Sequence, residues 1–198
     1  MCLFRSEPRP GSPTARARLE AEARWLGLVE HGVPVHVFRL AGVYGPRRSL
    51  LEAAARGADG EASPSKAARL TRPYTSRVHV ADVASALQAS LAAPKPGGCV
   101  YCVVDDDPTS RRKALAFAES LVAPGGVRSS SEAGGSAGPA PGRARATGGK
   151  RVLNTFLKED LGLRLVYPSY REGLTALASE PTALDPFQIG RASCRERV

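Results

Sequence analysis

The run "RLAGVYGPRR", Arg39 to Arg48, gathers the residue types best suited to holding a ligand. Gly42 and Gly45 would let the backbone approach a bound molecule, and Tyr44, Arg47 and Arg48 offer hydroxyl and guanidinium groups for polar contacts. The simpler alternative is that both glycines only permit a turn. A second strand end, "RVHVAD", carries Arg77, His79 and Asp82. His79 between two valines reads as a strand residue, and Asp82 reads as a helix cap. Arg77 is either a phosphate ligand or an arginine whose head group reaches out to water. Asp105, Asp106 and Asp107 could suggest a cation, yet Pro108 directly behind them favours turn and capping duty. Cys99 and Cys102 have C-x-x-C spacing but sit in the strand-like "GGCVYCVVD", where odd spacing sends their side chains to opposite faces. With no second Cys or His pair at ligand spacing, they read as two small buried residues, and no metal site is expected.

These residues need elements to position them, and the chain alternates helices with strands. Ser12 followed by Pro13 opens a helix to about Glu30, stopped by Gly32, with Leu19, Ala23, Leu26 and Val29 spaced as one buried face. Val33 to Leu40 is almost continuously apolar, as suits a strand covered on both faces. Ser49 and Glu52 stand at capping-box spacing for a short helix ending at Gly57, and Ala58 to Leu70 reads as a polar loop. Tyr74 to Val80 reads as a strand leading into a helix over Val83 to Ala92, capped by Asp82. A strand over Val100 to Val104 follows, then a helix opening at Asp107 and Pro108 and running to about Val122. Residues 123–149 are rich in Gly, Ser, Pro, Ala and Arg and too poor in large apolar side chains to bury a core, so a disordered insertion is expected. "KRVLNTFLKEDLG" is a helix closed by Gly162, and a last helix is expected around Arg171 to Ala178. This alternation implies an α/β architecture, a parallel sheet with helical crossovers whose ligands sit beyond the carboxyl ends of the strands.

The net charge of +9 is badly distributed for nucleic-acid binding. Residues 124–151 carry a net +4 and residues 188–198 a net +2, which leaves +3 for everything that reads as folded. Without interleaved aromatics to stack bases, no nucleic-acid partner is expected. No apolar stretch approaches the roughly 18 to 20 residues that span a bilayer, and "MCLFRSEPRPGSP" does not build a secretory signal, so no membrane partner is expected either. The expectation is a soluble chain in the cytoplasm or an organelle. Residues 188–198, "QIGRASCRERV", resemble a translated sequencing-library adapter, and residues 181–198 are expected to be a disordered tail of artificial origin.

The segments "GVPVHVFRLAGVYGP", "RVHVADVASALQASL", "GGCVYCVVDDDP" and "KRVLNTFLKEDLGLRLVYPSYREGL" together resemble the NAD-dependent epimerase/dehydratase group of the extended short-chain dehydrogenase/reductase superfamily, in an atypical, sugar-epimerase-like form. The resemblance covers most of Ser12 to Ala178 apart from the insertion. It implies an incomplete Rossmann-type parallel sheet, its carboxyl-terminal half, with a small carboxyl-terminal helical segment. On that reading residues 1–122 are the second half of an NAD(P)-binding domain and residues 150–180 a substrate-side segment. NAD or NADP is the implied cofactor, with Leu40, Ala41, Gly42 and Val43 near the nicotinamide. Tyr44, Arg47 and Arg77 would face a sugar-like or small carbonyl substrate. Oligomeric state has no signature in the sequence.

Two departures qualify what the resemblance implies. The family's glycine-rich phosphate loop lies well before the region matched here, and "YGPRRS" does not replace it. The catalytic Tyr and the Lys four residues later fall on Thr14 and Arg18, and a threonine hydroxyl titrates too high to serve as the same acid or base. The expected function is therefore a piece of an NAD(P)-dependent oxidoreductase or epimerase, inactive as it stands. The alternative is a non-catalytic NAD(P)-binding structural or sensor protein of the same fold. A sheet without its leading strands is also expected to expose a strand edge and apolar helix faces.

Overall fold

The computed structural model describes residues 8–55, 72–92, 97–123 and 151–179. The expected loop after the second helix, the Gly/Ser/Pro/Arg-rich insertion and the adapter-like tail all lie outside these residues. The order of elements is α1 (Pro13–Gly27), a 3-10 turn (Leu28–His31), β1 (His36–Leu40), β2 (Gly42–Tyr44), α2 (Leu50–Ala55), β3 (Arg77–His79), α3 (Val80–Ala92), β4 (Cys99–Val103), α4 (Arg111–Val122), α5 (Thr155–Leu161) and α6 (Tyr170–Ser179).

Local chemistry accounts for most of the boundaries. Ser12 caps α1 by accepting from the Ala15 N–H at 3.2 Å with Pro13 behind it, and Gly32 ends the following turn at φ 79. Ser49 and Glu52 form the expected capping box at α2: the Glu52 carboxylate accepts from the Ser49 N–H at 2.6 Å, and Ser49 Oγ accepts from the Leu51 N–H at 3.1 Å. Gly162 closes α5 in the left-handed region at φ 61. The helix expected from Asp107 starts instead at Arg111, because Ser110 is the cap and accepts from the Lys113 N–H. The strand expected over Tyr74 to Val80 shortens to Arg77–His79, and α3 begins at once with Val80 rather than Val83.

Among the described residues both ladders are parallel: β1 pairs with β4, His36 opposite Cys99 through Leu40 opposite Val103, and β2 pairs with β3, Gly42 opposite Arg77 through Tyr44 opposite His79. The chain changes partner within two residues, since the Ala41 N–H bonds the Val103 carbonyl and the Gly42 N–H bonds the Ser76 carbonyl. Just past β4, the Asp105 N–H bonds the Arg77 carbonyl, so β2, β3 and the end of β4 meet at one junction. One core gathers Val78, Ala86, Tyr101, Val103, Leu157 and Leu163, and a second gathers Tyr44, Leu50, Ala114, Ala118, Tyr170, Leu174 and Leu177. The result is a partial Rossmann-type α/β fold.

The amino-terminal side departs from expectation. No residue of α1 is buried, and on its expected inner face Ala23 is exposed while Leu19, Leu26 and Val29 are only half-buried. Val33 and Leu40 are exposed, and β1 is a half-buried strand, because β4 is its one ladder neighbour among the described residues.

Candidate functional site

The end of β2, all of β3 and the residues just past β4 converge on a polar junction. Tyr44, Arg77, His79, Asp82 and Asp105 are all buried there, and Tyr167 and Tyr170 cover them from the carboxyl-terminal segment. The His79 ring lies between two tyrosines, 5.2 Å from the Tyr44 centroid and 4.2 Å from that of Tyr167. Its Nδ1 accepts from the Ala81 N–H at 3.2 Å, which leaves the proton of the neutral ring on Nε2. Burial pushes the His79 pKa down to about 4, so the ring is neutral at physiological pH. His79 is a structural strand residue, as expected.

Arg77 does not reach out to water. It is 6 % exposed, and its Nη1 donates to the carbonyls of Thr75 at 3.0 Å and Thr109 at 3.3 Å. Its guanidinium lies 5.6 Å from the centre of the Tyr170 ring, and desolvation lowers its pKa. The group therefore ties β3 to the loop before α4 rather than reaching out to water. Asp105 lies within electrostatic reach, and burial pushes its carboxyl up to about 7 against the opposing pull of Arg77. Tyr44 also rises, mainly by burial, and its hydroxyl packs onto Gly173 of α6, where no side chain would fit.

Asp82 does not cap α3. Its carboxylate instead accepts from the N–H groups of Val166 at 2.6 Å and Tyr167 at 3.2 Å, fastening the extended segment before α6 over His79. Burial raises the Asp82 pKa, and these backbone bonds pull it back. The aspartates after β4 do more than make a turn: Asp106 accepts from Lys158 Nζ and Asn154 Nδ2, and Asp107 from Ser169 Oγ at 3.4 Å. No group of acidic, His or Cys side chains among the described residues could hold a metal. Cys99 and Cys102 are half-buried rather than buried.

The other candidate ligand residues lie elsewhere. Leu40 and Gly42 are exposed at the end of β1, while Ala41 and Val43 are half-buried. Arg47 is exposed and takes φ 61, a left-handed conformation uncommon outside glycine. The junction brings Tyr44 and Arg77 together but leaves Arg47 outside it. Thr14 and Arg18 are both exposed on α1, the latter beside the β1 edge. The cross-links made by Asp82, Asp105 and Asp106 leave no local signal in the sequence, because the contacts run to residues 28 to 85 positions away.

No family model and no curated protein matches this chain. Solved structures do. A functionally unknown conserved protein of Silicibacter pomeroyi is 34 % identical, with a TM-score of 0.61 over 88 % of this chain and 57 % of its own. A putative NAD-dependent epimerase/dehydratase of Methylobacillus flagellatus is 25 % identical, with a TM-score of 0.57 over 88 % of this chain and 55 % of its own. MoeE5, solved with UDP-glucuronic acid and NAD, is 23 % identical, with a TM-score of 0.61 over 88 % of this chain and 57 % of its own. The chain thus spans little more than half the length of the structures it matches. The fold and these matches define a Rossmann-type α/β protein. Within that class the chain resembles the NAD-dependent epimerase/dehydratase group of the short-chain dehydrogenase/reductases, the resemblance its sequence motifs carry.

Proposed function

We infer that this chain is part of an NAD(P)-dependent oxidoreductase or epimerase-like protein that handles a sugar-like substrate. The observation that carries this reading is the match of 88 % of the chain to a 25 % identical putative NAD-dependent epimerase/dehydratase, joined by the same coverage of a structure holding NAD and a nucleotide sugar. When bound, the nicotinamide supplies hydride transfer. Leu40 and Gly42, exposed at the carboxyl end of β1, fit the nicotinamide side of such a cofactor, where ligands of open parallel sheets bind. The glycine-rich phosphate cradle has no counterpart among the described residues. The substrate-side segment is held down by Asp82 and Asp106, and Arg47, exposed beyond β2, would face the substrate. Tyr44 and Arg77, buried beneath, act as supports.

One observation favours the non-catalytic alternative. Thr14 and Arg18, at the positions of the family's proton-transferring pair, are both solvent-exposed on α1. The test is a hydride-transfer assay of the intact gene product on a panel of nucleotide sugars and small carbonyls, with cofactor binding measured alongside. Turnover supports the enzyme, tight binding of NAD(P)H without turnover supports the sensor, and failure to bind either cofactor refutes both.

A further inference from the structure

A short strap crosses the polar junction and is fastened to it by acids. Residues 164–169 run between α5 and α6 in neither helix nor strand, and Val166 among them is 57 % exposed. Among the described residues, the bonds that hold the strap down go to three aspartates. Asp82 accepts from the Val166 and Tyr167 N–H groups, the Asp106 N–H donates to the Pro168 carbonyl at 2.8 Å, and Asp107 accepts from Ser169 Oγ.

Asp105 stands directly before the two aspartates that grip Pro168 and Ser169. It is 2 % exposed, and neither carboxylate oxygen has a hydrogen-bond partner among the described residues. The groups that face it are Tyr44 of β2, Arg77 of β3, Tyr170 of α6 and, on its own loop, Asp106 and Asp107. Arg77 does not bond it: Nη1 is taken by the Thr75 and Thr109 carbonyls, Nη2 is unpartnered, and Arg111 of α4 faces the same guanidinium. Asp106 instead holds Lys158 of α5, and Asp107 lies 3.9 Å from Arg171 of α6, so each neighbouring acid has a cation and Asp105 is left without a bonded one. A buried carboxyl in that position is more stable as the neutral acid than as the anion, and water reaching it reverses the preference.

We propose that residues 164–169 form a proton-operated latch over the junction, closed while the Asp105 carboxyl is protonated and released as that carboxyl ionises. Release lifts Pro168 and Ser169 off Asp106 and Asp107 and admits water to Asp105. Opening therefore expels one proton, and it becomes easier as pH rises from the carboxyl's ordinary value of 3.8 to its value beneath the strap, about 7, and levels off above. The strap belongs to the segment read above as substrate-side; only the consequence that the latch admits a substrate rests on that reading.

Amide exchange of the full chain and of Asp105→Asn, an uncharged mimic of the closed state, is measured from pH 4.5 to 8, with protection corrected for the intrinsic rate. His79 and Asp82 are common to both chains, so the ratio of parent to variant protection isolates Asp105. At Val166 and Tyr167 that ratio should fall at least tenfold between pH 4.5 and 7, and both amides should exchange faster than those of the β1–β4 ladder. A ratio that does not change with pH overturns the proposal. So does strap exchange no faster than the ladder's, which would mean that the strap opens only when the whole chain unfolds. If the variant does not fold, the carboxyl carbon of Asp105 in the parent is titrated by NMR. A midpoint nearer 3.8 than 7 overturns the latch, and one nearer 7, with the strap still exchanging ahead of the ladder, supports it. None of these measurements uses a cofactor, so a latched chain whose intact gene product binds neither NAD nor NADPH fails the cofactor reading alone.

Discussion

Two buried groups make opposing demands on pH, and their balance can be measured. Asp105 is raised from 3.8 to about 7, mainly by burial, and the groups facing it are Tyr44, Arg77, Asp106, Asp107 and Tyr170. An acid whose folded pKa exceeds its unfolded one contributes stability fully present below the lower value and lost as pH rises through the higher. The loss amounts to roughly 4 kcal/mol at 1.36 kcal/mol per unit. His79 is lowered from 6.5 to about 4, again by burial. Its contribution is present above 6.5 and lost as pH falls towards 4, roughly 3 kcal/mol. Between pH 4 and 6.5 the slopes oppose, so the parent chain should show a nearly flat profile, tilted slightly downward by Asp82, which shifts in the same sense as Asp105. Each substitution should uncover one slope. Asp105→Asn should gain roughly 3 kcal/mol as pH rises from 4 to 6.5, the full His79 contribution. His79→Asn, whose amide oxygen can take over the bond from the Ala81 N–H, should lose roughly 4 kcal/mol between pH 4 and 7. Urea denaturation followed by circular dichroism at half-unit steps from pH 4 to 8 measures all three. A profile for Asp105→Asn that superimposes on the parent's would refute the reasoning, for it would mean that Arg77 keeps the carboxyl ionised throughout.

Four further outcomes are expected. A Cβ on Gly173 would stand 2.9 Å from Tyr44 Cε2 and Cζ and closer still to the hydroxyl, so Gly173→Ala should cost about 1–3 kcal/mol of unfolding free energy despite its better helix propensity. Tyr44→Phe should be neutral or stabilising, because the hydroxyl is buried without a hydrogen-bond partner, and it should recover part of the Gly173→Ala loss in a double-mutant cycle. Asp82→Ala should cost about 2–4 kcal/mol by stranding the N–H groups of Val166 and Tyr167, read as a lowered urea midpoint and faster exchange of those two amides. NADPH added to the chain alone should leave its melting temperature unchanged, and a rise of several degrees would show phosphate contacts that the motifs do not contain.

Local signals in the sequence located most of the elements. Ser12 with Pro13, Ser49 with Glu52, and Gly162 act on the backbone within a few residues of themselves, so their effects are legible without a partner. The motifs at "RLAGVYGP" and "RVHV" likewise identified the parallel pair that folds around Tyr44 and Arg77. Asp82 misled because its spacing fits a cap, and the choice between capping and a bond to residue 166 is made by tertiary packing. Ser110 outcompeted Asp107 as the cap of α4 because Asp107 is engaged by Ser169 and Arg171 across the junction. The spacing of Leu19, Ala23, Leu26 and Val29 reports that a helix has an apolar side, but burial of that side depends on what stands opposite it.

The two ends of the molecule differ for one physical reason. Around β2 and β3 the chain brings its own cover: α6 seats Gly173 on Tyr44, Arg77 lies beneath Tyr170, and Asp82 pulls residues 166 and 167 over His79. That cover buries Tyr44 and Arg77. Around β1 no described residue supplies the equivalent layer, so Leu40, Trp25 and Val33 stay exposed.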